Sequence, residues 1–243
     1  MPDPLSLLDA WPAPTVAAGL LEPDGTLRTH GPARAGFALA SLTKPLVALA
    51  VLVAVEEGTI DLDRPLGPRP DGVDGAITPR HLLAHASGLS PDQRQALEPP
   101  GRRRIYSNAG FELLGELLER ASGLPVATYL AEALVAPLGL TATELLGSPA
   151  HGARSSVADL LLVSAEVLSP TLVHPDTIVQ ARTEQFPGLA GVLPGYGRQD
   201  PNPWGLGFEI RGSKRPHWTG QRSSPATFGH FGRAGTLWWI DPV

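Results

Sequence analysis

The sequence predicts a mixed α/β (α+β) protein. An antiparallel sheet is drawn from both ends of the chain, with flanking helices and an all-helical lobe inserted between. Three observations predict it. Strand-like, turn-punctuated segments occupy residues 15–30 and the last forty residues. A segment at 43–57, Lys-Pro-Leu-Val-Ala-Leu-Ala-Val-Leu-Val-Ala-Val, is apolar on every side, which marks a buried central helix. The middle of the chain carries helix-patterned runs broken by Gly and Pro. These divide one domain, 1–243, into an α/β lobe (about 1–58 and 200–243) and a helical lobe (about 59–199).

In order, residues 15–21 read as a strand, Pro23-Asp24-Gly25 as a turn and 26–30 as the returning strand. Pro45 is acceptable in the first turn of the central helix, and Gly58 stops it. Residues 59–77, rich in Pro, Gly and Asp, read as a loop. Thr78 can cap a short helix that starts at Pro79 and stops at Ser87-Gly88. An amphipathic helix spans 109–122, closed by Gly123, and another spans 126–135. Ser156 and Asp159 have capping-box character ahead of a helix to about 168, and 176–184 adds one more. After the Gly- and Pro-rich 186–205, strands are expected at 207–211, 227–231 and 235–241. Trp238 and Trp239, adjacent on one strand, must point to opposite faces.

Composition narrows the function. The 243 residues carry a net charge of −5, which gives no reason to expect binding to a phosphate backbone. The run Arg102-Arg103-Arg104 reads as a solvated or ion-paired loop. With no cysteine, thiolate chemistry and disulfides are excluded. The N-terminal residues lack a basic, then apolar, export pattern, and no run of apolar residues suffices for a membrane span, so a cytoplasmic protein is expected. No metal or cofactor is called for. His81 and His85 stand four apart, but no acidic residue lies between them, and a structural role is the expectation.

Three fragments can carry chemistry. Of 19 basic residues only Lys44 and Lys214 are lysines, and Lys44 follows Ser41 by three positions, on one helical face. A serine needs a base before it attacks, and a lysine in apolar surroundings can be one where arginine cannot. Taken alone, the pair describes a capping serine and a surface lysine better than a catalytic pair. Tyr106-Ser107-Asn108 offers a phenol for proton transfer and a non-titrating amide for orientation; alone it is also a loop tyrosine and an asparagine cap. Gly229-His230-Phe231-Gly232-Arg233 is a glycine-bracketed strand that lets a ligand approach the backbone closely, or simply a bulged edge.

In this order the fragments resemble the serine β-lactamase and penicillin-binding-protein superfamily, in the branch of class C β-lactamases, D-alanyl-D-alanine carboxypeptidases and related esterases. Ser41-Leu42-Thr43-Lys44 looks like the Ser-x-x-Lys element. Tyr106-Ser107-Asn108 looks like Tyr-x-Asn, and His230-Phe231-Gly232 like the third element. Leu82-Leu83-Ala84-His85-Ala86-Ser87-Gly88-Leu89, Pro100-Gly101 and Pro137-Leu138-Gly139-Leu140 extend the likeness from about residue 15 to the end. The resemblance implies a β-lactamase-like two-lobed fold with Ser41 as acylated nucleophile, Lys44 as its base or charge partner and Tyr106 as proton shuttle. It makes Asn108 an orienting group, the amides of Ser41 and Arg233 an oxyanion hole, and His230, Phe231 and Gly232 the substrate wall. It also implies a further strand and C-terminal helix after Asp241, absent from this sequence.

Phe231 stands where the family carries Thr or Ser, which removes a donor for a substrate carboxylate and favours an esterase-like hydrolase of small esters or amides. The alternatives are a β-lactamase or D-amino-acid peptidase, and a non-catalytic binding or sensor module on the same fold. The expected partner is a small ester, amide or β-lactam; the oligomeric state is left open.

Overall fold

The computed structural model describes residues 3–69 and 71–243 and is centred on the apolar segment after Ser41. Helix α1 (Thr43–Glu56) has eleven of its fourteen residues buried, Lys44 among them. No face of it is polar, so every face must find apolar cover.

A 3-10 segment (Pro4–Ala10) precedes an antiparallel hairpin, β1 (Ala18–Leu21) and β2 (Leu27–His30). Strand β3 (Phe37–Ala38) then leads into one 3-10 turn, Ala40–Leu42, which carries Ser41 directly into α1. Helices α2 (Pro79–Leu83), α3 (Asn108–Ser122), α4 (Val126–Leu130), α5 (Val157–Leu168) and α6 (Pro175–Ala181) follow, α4 running on into a π turn at Ala131–Val135. The expected caps form: Thr78 accepts from the His81 amide and Ser156 from the Asp159 amide. Asp159 does not return the favour to its own cap; its carboxylate instead accepts from the Ala142 amide and the Thr143 hydroxyl.

Short strands also interrupt the helical middle, where an all-helical lobe was expected. β4 (Glu144–Leu145) and β5 (Ala153–Ser155) join β3 in the order β3-β5-β4. β6 (Gly191–Leu193) and β7 (Gly197–Gln199) form a hairpin in the segment read as irregular. At two or three residues each, such strands are too short to leave an alternating pattern. β8 (Glu209–Ile210), β9 (Phe228–Gly232) and β10 (Thr236–Ile240) make an antiparallel sheet in the order β10-β9-β8.

A second difference concerns the sheet. The mixed α/β class with antiparallel sheets is as expected, but the strands from the two ends form two separately hydrogen-bonded sheets among the described residues. Helix α5 couples them instead. Gly19 on β1 lies so close to it that an added Cβ would sit 2.6 Å from Val157 and 2.8 Å from Leu161. At the other end, the buried Trp238 on β10 donates to Ser164 on α5 at 2.8 Å. Trp239, on the opposite face, is 46% exposed.

The arginine run is the third correction. Arg102 and Arg103 are exposed, but Arg104 is buried and donates to the backbone carbonyls of Ala84, Gln185, Phe186 and Asn202. One fork-shaped cation satisfies four inward-facing carbonyls of loops far apart in sequence, which a solvated loop would leave unpaired. Among the described residues no helix is long and apolar enough to cross a membrane.

Candidate active site

Ser41 is set by the turn before α1. Ala40 takes a left-handed φ of 47°, uncommon for a residue with a side chain, and so offsets Ser41 from the helix axis. The Thr43 hydroxyl donates to the Ala40 carbonyl at 2.7 Å, and the Thr236 hydroxyl to the Leu39 carbonyl at 2.8 Å. Strand β9 passes so near that a Cβ on Gly232 would stand 2.4 Å from the Leu39 carbonyl oxygen. Glycine is required there by contact.

Lys44, one turn on, is wholly buried and is no surface lysine. Its Nζ donates to Asn108 Oδ1 at 2.7 Å and to the Ala150 carbonyl at 2.9 Å; Ser41 Oγ lies 3.5 Å away. The ammonium also sits 4.6 Å from the centre of the Tyr106 ring. Burial lowers its pKa to about 7, against the opposing pull of the Glu112 and Asp92 carboxylates. A neutral amine has two N–H groups and one lone pair. In that form Asn108 and Ala150 take the two hydrogens and the lone pair is left for the Ser41 hydroxyl, whereas the ammonium donates its third hydrogen there.

Ser107, not Asn108, caps α3, accepting from the Gly110 amide. Asn108 is thereby free to bridge Lys44 and Asp92, donating to Asp92 Oδ1 at 2.7 Å. The Tyr106 hydroxyl is buried without a hydrogen bond of normal geometry. Burial raises its pKa far above the ordinary phenol range, and the nearby Ser41 hydroxyl offsets only part of this. Lys44 and Tyr106 are therefore pushed in opposite protonic senses, one toward a free base and the other toward a persistent acid.

The family model for Beta-lactamase matches residues 13–243. The chain belongs to the Beta-lactamase family. It is similar to a solved beta-lactamase (Mb2281c) from Mycobacterium bovis: 53% identical, covering 98% of this chain and 86% of that one, with a TM-score of 0.92. Among curated proteins it is 33% identical to monacolin J acid methylbutanoyltransferase of Aspergillus terreus over 42% of this chain and 36% of that one. To esterase EstB of Burkholderia gladioli it is 34% identical over 43% of this chain and 37% of that one. The chain thus spans little more than a third of the length of these two curated relatives.

Relative to the family's three elements, the structure brings Ser41, Lys44, Tyr106 and Asn108 together and sets His230 behind them. The Tyr106 ring lies 5.7 Å from His230 and 5.8 Å from Trp204, centre to centre. His230 is buried; desolvation and the Lys44 charge lower its pKa to about 3, so it is neutral. Phe231 points to the other face of β9, its ring 5.4 Å from Trp218 and 6.0 Å from Tyr196. Arg233 is exposed in the turn that the Gly235 amide closes onto the Gly232 carbonyl.

The residues that sequence reasoning missed as site neighbours are Asp92, Glu112, the Ala150 carbonyl and Trp204. His85 belongs with them: its ring lies 4.5 Å from Tyr106 and 4.6 Å from Trp204. His85 Nδ1 accepts from the Ser107 amide at 3.1 Å, whereas His81 Nδ1 is bound to Thr78 and its ring stacks on Phe186. Only His85 carried a signal, as part of the family-like Leu-Leu-x-His segment.

Proposed function

We propose that this protein is a serine hydrolase that cleaves small esters or amides through an acyl-enzyme on Ser41. The observation that carries this is the placing of Lys44: its buried Nζ is held by Asn108 and the Ala150 carbonyl and stands 3.5 Å from Ser41 Oγ, and burial lowers its pKa to about 7. Lys44 takes the hydroxyl proton as Oγ bonds to the substrate carbonyl carbon, and the oxyanion develops at the start of the central helix. The bond to the leaving group then breaks, and Tyr106 passes the departing oxygen or nitrogen a proton that Lys44 restores. Water attacks the acyl-enzyme by the same route in reverse and releases the acid. The backbone amides of Ser41 and Arg233 are the proposed donors to the oxyanion.

One feature favours an uncharged ester over a substrate with a free carboxylate: His230, beside Tyr106, is neutral. The reading is tested with a p-nitrophenyl ester series of increasing acyl length. Turnover that vanishes in Ser41→Ala supports it; equal turnover in that variant refutes it. The 53% identity to the Mycobacterium bovis beta-lactamase favours a second substrate class on the same machinery. Nitrocefin opening faster than ester hydrolysis, and lost in Ser41→Ala, would select that class.

A further inference from the structure

The second of the chain's two lysines marks another built site. Lys214, in the loop between β8 and β9, is buried and donates to the Glu209 carboxylate, to Asn202 Oδ1 at 3.0 Å and to the Pro203 carbonyl at 3.2 Å. The other oxygen of Glu209 is held by the Trp218 indole N–H and by His217 Nε2, each at 2.9 Å. The one carboxylate of this cluster is therefore fully engaged.

Arg211 beside it has no such partner. Its residue is only 6% exposed, and its Nε is buried without an acceptor among the described residues. Arg211 lines a cavity of about 360 Å³ together with Lys214, Arg215, His217, Thr219 and Gln221, and no carboxylate lines it. An Nε–H withdrawn from water and left without an acceptor is costly, and the planar fork of the guanidinium that carries it matches an oxyanion. The exposed Arg215 adds a second free cation at the wall.

We propose that this cavity binds a small multiply charged oxyanion, a phosphate or a polycarboxylate, with Arg211 as the buried anchor and Arg215 as the outer clamp. The site is separate from Ser41; its contacts with strand β9 include Trp218 packing on Phe231 and β8 pairing at Glu209 with Gly229 and at Ile210 with Phe228.

Isothermal titration of the full chain with inorganic phosphate, and in parallel with citrate, at ionic strength held constant with sodium chloride, tests it. One site of submillimolar affinity is expected for at least one anion, and the arm that binds names the chemistry. Arg211→Met should weaken it at least tenfold, Arg215→Ala severalfold, and fluorophosphonate labelling of Ser41 should survive in both. Arg215 is exposed, so its variant decides the matter even where Arg211→Met does not fold. Heats equal to the chloride control for both anions, or a folded Arg211→Met or Arg215→Ala that binds as the parent does, would overturn the proposal.

Discussion

At the residue scale, the proposed acylation rests on the protonation of one amine. With its pKa at about 7, Lys44 is a free base above that pH and an ammonium below it. The acylation rate should therefore rise with pH through about 7 and level off above it. Asn108→Asp would place a carboxylate on Lys44 Nζ, favour the ammonium and move that rising limb to higher pH by about one to two units. Asp92→Asn removes a charge that favours the ammonium and should move it the other way, by less, because Asp92 is exposed. A stopped-flow pH profile of acylation reads both. Lys44→Arg should lose about 10²- to 10⁴-fold in acylation, nearly as much as Lys44→Ala, because a guanidinium keeps the charge but accepts no proton. An arginine variant with near-parent rates would make the lysine purely electrostatic. Ser41, Lys44, Tyr106 and Asn108 were all legible in the sequence because their spacing survives in the linear order. Asp92 and the Ala150 carbonyl were not: each reaches Lys44 or Asn108 from a loop remote in sequence, one by a carboxylate among many and one by backbone common to every residue.

At the scale of elements, the site depends on strand β9 lying against the turn that carries Ser41. Gly232→Ala would drive a methyl into the Leu39 carbonyl and Thr236 Oγ1, each 2.4 Å from the built position. The strand must retreat, and with it the turn at Arg233. Because displacements of about 1 Å can cost about 10²-fold, acylation should fall by at least that much while the far-ultraviolet circular dichroism stays unchanged. Parent-like acylation in this variant would remove β9 from the site. The elements themselves were unevenly legible. Helix α1 announced itself by an apolar run with no polar face, and α3 by a clear amphipathic period. Strand β3 is held by β5, far away in the chain, and β4 pairs with β5 over two residues only, so no local pattern marks them.

At the scale of the whole molecule, the terminal hairpin and the β10-β9-β8 sheet, which share no ladder among the described residues, are joined through α5, by the Gly19 contact on one side and Trp238 on the other. Gly19→Val should overfill the first contact and destabilise the protein by about 1–3 kcal/mol, read as a lower urea midpoint. An unchanged midpoint would mean that the hairpin does not rest on α5. The family and the mixed α/β class were legible from motif order, whereas the division into two sheets was not, because strand order depends on contacts that no single segment encodes. The central claim is that Ser41 becomes acylated by a route that needs Lys44. It is tested most directly by the mass of the Ser41 peptide after brief exposure to a slowly released p-nitrophenyl ester and a rapid acid quench. One added acyl group is expected on Ser41 in the parent, little in Lys44→Arg and none in Ser41→Ala. An unmodified Ser41 peptide in the parent while p-nitrophenol is released, or acyl mass on another residue, would contradict it.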